Sequence, residues 1–203
     1  MILAVGVILQ PRYVLGDTLE VFALFKNRLS DISLNFTVYS ELFDSSDSVN
    51  TLNNFHSFVF GNYQKCLVDV LYLEIAKLFD PKGNKDKNLS FLYLISLTNS
   101  DSKPELEADF EELKILFTSS NLKAYRNKLL AHNDLKAIQG IRAVKPEVTT
   151  ETLEELLKRA WTLFGKIEFT LGITEKAYQT SPYIQLPTGT GIDEFITKLK
   201  NRT

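Results

Sequence analysis

The chain has 203 residues, 44% of them hydrophobic and 24% charged, which is enough for one domain with a continuous core. A net charge of −2 argues against a protein that coats nucleic acid indiscriminately. The single cysteine, Cys66, rules out an intramolecular disulfide and points to a reducing compartment, so a cytoplasmic protein is expected.

The opening "MILAVGVILQ" is apolar but too short to span a bilayer, and it has no positive flank or cleavage-like site. It reads as a leading segment, residues 1–16, that packs on the body, with no membrane partner. Residues 17–44 then place Phe22, Phe25, Leu29, Ile32, Phe36, Tyr39 and Phe43 at alternating steps of three and four. That spacing predicts a helix with one apolar stripe, capped by Asp17 or Thr18. After "DSSDS" a second run, 49–79, carries Leu52, Phe55, Val59, Tyr63, Leu67, Val70, Leu73 and Leu78, and Asp80 and Pro81 stop it. At 1.5 Å per residue these helices would be roughly 40–45 Å long.

"LSFLYLISL", 89–97, fits a buried strand or a short buried helix, and its neighbours favour the helix. A third long pattern starts at Pro104, with Glu105, Glu107 and Asp109 where the helix dipole favours acids. It meets "SSN" at 119–121, a kink or a new cap. A last clear helix covers 150–171 on the stripe Leu153, Leu157, Ala160, Phe164, Ile167 and Leu171, with Gly172 suited to its end. Residues 181–203 read as an irregular tail ending in a short amphipathic piece near 193–200. Long striped helices joined by short linkers predict an all-α fold: an antiparallel up-and-down helical bundle over residues 1–180.

The chemistry concentrates in "AYRNKLLAHND", 124–134. Between Asn121 and Lys145 six basic side chains face Asp134 alone, so this stretch carries +5 and the rest of the chain −7. Arginine is permanently charged and grips phosphate oxygens in pairs, and histidine titrates at about pH 6.5. Arg126, His132 and the supporting amide of Asn127 could therefore cleave RNA without metal, because the ribose 2′-hydroxyl supplies the nucleophile. Lys123, Lys128 and Lys136 would draw in RNA and Tyr125 would stack on a base. On a regular helix the six-residue step leaves Arg126 and His132 about 120° apart. Either the helix is distorted there, or two copies of the helix line one cleft; a C2 homodimer is the preferred expectation.

The bland alternatives are a solvated Arg126, a helix-end His132, a solvated lysine face and a hydrogen-bonded structural His56 between Phe55 and Phe58. Trp161 reads most simply as core or dimer packing. Two histidines and one distant cysteine give no metal-ligand spacing, and "LPTGTGID", 186–193, lacks the lysine and glycine spacing of a P-loop, so no cofactor is expected.

"YRNKLLAHND" resembles the Arg-x(4–6)-His motif of the HEPN superfamily, in which Asn often follows Arg, and "LEIAKLFDPKGNKDKNLSFLYLI" is similar to the "LARLFDP…LSL" segment of its AbiU-like abortive-infection branch. The likeness covers about residues 50–170. It implies an up-and-down helical fold, dimerisation that pairs two such motifs, and metal-independent endoribonuclease action in antiphage defence or toxin systems. Within the resemblance Arg126 and His132 are the motif residues, with Asn127 more loosely, and Leu-Phe-Asp-Pro is a helix end without chemistry. The alternative it leaves open is a non-catalytic HEPN-like module that holds RNA or a protein, such as an antitoxin or nucleotidyltransferase-type partner.

Overall fold

The structure, a computed structural model, describes residues 12–130, 135–139, 146, 148–175 and 181–201. The apolar leading segment up to residue 11 and His132 lie outside the described residues.

Helix α1, Arg12–Phe43, and helix α2, Ser46–Lys77, form an antiparallel hairpin joined at Asp44 and Ser45. Each has 32 residues, about 48 Å of helix rise. Because α1 begins at Arg12, Asp17 and Thr18 lie inside the helix, and the expected cap at those residues is corrected. The stripe itself is where periodicity puts it: Phe22, Phe25, Leu29, Ile32 and Phe36 are all buried.

The stripe expected on α2 is only half a core face. Leu52, Leu67 and Leu78 are buried, but Phe55, Val59, Tyr63 and Val70 are exposed, and the core is met instead by Leu71, Tyr72, Ile75 and Ala76. Part of the reason is a break. His56 leaves the helical region (φ −166°, ψ 84°), so that α2 is two helices joined at this residue. Asn53, Asn54, Ser57, Gly61 and Asn62 surround it, residues that hold a helix weakly. The His56 Nδ1 accepts a long 3.5 Å bond from the Val59 amide, so the exposed imidazole caps the second half.

Helix α3, Phe91–Ser96, is the short buried helix anticipated for 89–97. Helix α4, Lys103–Ser119, carries Pro104 in its first turn and buries Phe110, Leu113 and Phe117. Three short pieces follow: α5, Leu122–Tyr125, a π-helical turn, Arg126–Leu130, and α6, Leu135–Ile138. Helix α7, Thr150–Thr170, starts at a Thr149 hydroxyl that accepts from the Thr152 amide at 3.3 Å, and Gly172 beyond its end holds φ +68°.

Helix α7 packs against α1 and α4, and α3 touches both α4 and α7. An aromatic cluster fills the centre: Phe25 meets Phe91 at 4.9 Å and Phe164 at 5.5 Å, and Phe79 stacks on Phe117 at 4.0 Å. Trp161 is core, its indole N–H donating to Ser33 Oγ at 2.9 Å. The tail is docked rather than loose. Tyr183 packs on Phe36, the Ile184 amide donates to Thr37 Oγ1 at 2.8 Å, and α8, Ile192–Lys200, buries Ile196 and Leu199 against Leu42 and Leu52. No strand occurs among the described residues, and none of their helices is long and apolar enough to cross a membrane.

Candidate functional site

Helix α4 ends at Ser119, capped by Ser120, and Asn121 then takes the left-handed conformation (φ 62°), one that asparagine tolerates better than most residues. This turns the chain so that α5 lies on α2. Leu122 is fully buried, and Tyr125 meets Tyr72 edge-on at 5.6 Å and donates its hydroxyl to Asp69 Oδ1 at 3.3 Å. Burial, with the Asp69 charge second, raises the Tyr125 pKa above its usual value and keeps the phenol protonated.

Arg126 opens the π-helical turn. Its i→i+5 bonding widens the helix at the motif, so the angular offset expected of a regular helix does not apply beyond Arg126. The helix is distorted over Arg126–Leu130, ahead of the histidine. His132 falls two residues past Leu130, outside the described residues, so the distance between the two motif side chains is not among the described geometry.

The guanidinium of Arg126 is held from 46 residues away. Its Nη1 donates to Asp80 Oδ1 at 3.2 Å and its Nη2 to Asp80 Oδ2 at 3.0 Å, a two-toothed ion pair. Nη1 also donates to Asn127 Oδ1 at 3.1 Å. The side chains of Arg126 and Asp80 are 22% and 25% exposed, so solvent screens the pair and its stabilisation is about 1 kcal/mol or less; what it supplies is aim. The Arg126 Nε is buried and finds no acceptor among the described residues, a cost of about 1–3 kcal/mol for an orphaned buried donor.

Asp80 is the third residue of Leu-Phe-Asp-Pro, read from sequence as a helix end without chemistry. The helix ends three residues earlier, at Lys77, and Asp80 in the turn beyond it fixes the motif arginine. The loop behind it is tight. Asn88 donates its side-chain amide to Pro81 O at 2.7 Å and its backbone amide to Lys82 O at 3.0 Å. Gly83 sits at φ +73°, where a Cβ would lie 2.0 Å from Asp86 O.

Asn127 and Lys123 are exposed, Lys128 half-buried and Lys136 exposed on α6. Of the residues expected to form the site, the structure brings Arg126 against Asn127, with Asp80 as anchor, and turns Tyr125 separately onto Asp69 and Tyr72. Arg28 and Lys77, which border Arg126 across a cleft of about 290 Å³, had no signal in the sequence, since each is one cation on a long helix. Among the described residues no group of His, Cys, Asp and Glu is arranged to hold a metal ion.

A helical bundle with an Arg-Asn pair at a helix distortion, followed by a histidine in sequence, defines the chain as a HEPN-type protein. The chain matches the family model described as HEPN_AbiU2 (AbiU2) over residues 17–180, and it belongs to that family. Among curated proteins and solved structures nothing matches it.

Proposed function

We propose that this protein is a metal-independent endoribonuclease of the HEPN type, an antiphage or toxin effector acting in the cytoplasm, with a composite active site at a homodimer interface. The observation that carries the reading is Arg126 itself: a motif arginine, aimed by Asp80 and Asn127, at the start of a π-helical turn in a chain of the HEPN_AbiU2 family.

In this reading the ribose 2′-oxygen attacks the adjacent phosphorus, the bond to the 5′-oxygen breaks, and a 2′,3′-cyclic phosphate and a 5′-hydroxyl result. His132 moves a proton, taking one from the 2′-hydroxyl or giving one to the leaving oxygen. Arg126 neutralises charge on the phosphate oxygens, and Asn127 supports it. Lys123, Lys128 and Lys136 attract the strand, and the ring of Tyr125 stacks on a base. A partner copy is supported by an apolar surface on α2, where Phe58 is 82% exposed and Phe55, Val59, Tyr63 and Val70 are exposed beside it. That surface adjoins Asp69, which holds Tyr125, so a second chain seated there lies next to the motif.

The rival reading is a non-catalytic helical module for a protein partner of antitoxin or nucleotidyltransferase type. What favours it is that Asp80 already occupies the outer edge of Arg126.

One experiment separates the two. Purified protein is incubated with total RNA in EDTA beside Arg126→Ala and His132→Ala forms. The enzyme reading expects cleavage that each substitution lowers by roughly 10²- to 10⁴-fold. Mixing and re-annealing the two variants should restore part of the activity if one cleft draws on two chains. Equal inertness of all three proteins, or cleavage lost only on chelation in the wild type, overturns the ribonuclease reading.

A further inference from the structure

Three cationic side chains from three separate elements converge on one cleft: Arg28 from α1, Lys77 from the last turn of α2, and Arg126 from the π-helical turn. Leu78 and Leu89 give the cleft its apolar part, and Asp80 and Asn88 complete its wall. Two carboxylates answer the three cations. Asp80 takes Arg126, and Glu74 accepts from Lys77 at 2.6 Å while lying 3.3 Å from the Arg28 Nε.

Neither arginine is saturated by these pairings. The Glu74 Oε2 that faces Arg28 is buried and, among the described residues, has no hydrogen-bond partner, so that contact is charge against charge with the donors misaligned. Among the described residues Arg126 keeps a second Nη2 proton beyond the one given to Asp80, while its buried Nε faces away from solvent. Counted over these five described side chains, the cations exceed the carboxylates by one, in a chain whose net charge is −2, and the guanidinium donors have a geometry suited to phosphate oxygens.

We propose that this cleft is a phosphate subsite for the RNA backbone, in which Arg28 and Lys77 bind a phosphodiester neighbouring the one held by Arg126. The inference rests on the ribonuclease reading for the identity of the anion. It places the backbone contacts on α1 and on the end of α2, away from the lysines of the motif segment. Glu74 restrains the site: it lowers the charge that Arg28 and Lys77 present until a phosphate competes for them.

The test is fluorescence anisotropy with a labelled single-stranded 2′-O-methyl RNA, which cannot be cleaved through its 2′-oxygen, titrated at several salt concentrations. Arg28→Ala and Lys77→Ala should each weaken binding about 4-fold at 0.15 M salt and flatten the salt slope by about 0.7, the effect of one lost phosphate contact on a single strand. Glu74→Gln should act in the opposite direction and tighten binding. Lys158→Ala, on α7 and outside the cleft, should bind as the wild type does.

If Arg28→Ala and Lys77→Ala bind with unchanged affinity and slope while the wild type still cleaves RNA, the subsite is refuted and the ribonuclease reading survives. If both weaken binding but no protein cleaves RNA, the subsite stands and catalysis is refuted. A wild type that does not bind the probe at all refutes the subsite. Since Arg28 and Lys77 are both well exposed, their removal leaves the fold intact, and matching melting curves confirm that each variant is read in its native state.

Discussion

Helix α7 and the segment 122–138 are close in length and opposite in construction. The helix runs without interruption through 21 residues, capped at Thr149 and released at Gly172, and it buries Leu153, Leu157, Ala160, Phe164 and Ile167 on one face. The segment changes helix type at Arg126 and carries cations along its length; Leu122 is its one fully buried anchor among the described side chains. Regularity goes with burial of apolar area, and distortion goes with aimed polar groups. The core and the candidate site therefore lie in different parts of the molecule and should respond to different substitutions.

The sharpest way to break that contrast is to empty the core. Phe164→Ala removes a ring that contacts Phe22, Phe25 and Trp161, and it should cost about 3–5 kcal/mol in a urea titration. Arg126→Ala, the substitution expected to abolish the proposed cleavage, should stay within about 1 kcal/mol of the wild type in stability. Equal losses from the two would erase the division.

A smaller effect lies on the seam between the regions. The Tyr72 pKa is pushed up to about 12 from 10.0, first by burial, then by the neighbouring phenols of Tyr39 and Tyr125 once they ionise, and by the Asp69 carboxylate. A phenol that holds its proton more tightly when folded contributes fully below the unfolded value, and that contribution is lost as pH rises from about 10 towards 12. At about 1.4 kcal/mol per unit the loss is roughly 2–3 kcal/mol. Denaturation followed between pH 9 and 12 should show it, and Tyr72→Phe should flatten the decline. An unchanged slope would mean that Tyr72 is better solvated than its packing on Tyr125 suggests.

Smallest is the cap. Thr149→Ala removes the acceptor for the Thr152 amide and should lower stability by about 1 kcal/mol without touching cleavage, measured by thermal melting beside the RNA assay.

The fold was legible because long helices write their buried face at a period of 3.6, and α1, α4 and α7 keep that pattern. On α2 the same signal misled: the period reports that a face is apolar, but it does not say whether the chain's own core covers it, and Phe55, Val59, Tyr63 and Val70 face outward. The break at His56 and the π-helical turn left no periodic trace. Within the site, local spacing flagged Arg126 and Asn127. Asp80, Arg28 and Lys77 reach Arg126 only through tertiary folding, and spacing along a chain carries no information about partners 46 or more residues away. The clue to Asp80 lay in the resemblance, whose second segment contains that residue in Leu-Phe-Asp-Pro.

The hairpin of backbone that follows Asp80 closes on Gly83, where Asp86 O leaves no room even for a methyl group. A lysine-rich stretch of ordinary surface appearance is thus mechanically stiff at one point. Enlarging that residue would pry open the turn, let the carboxylate swing, and release the guanidinium it steers, so the orientation of the most chemically committed side chain depends on a hydrogen atom three residues downstream of the carboxylate that aims it.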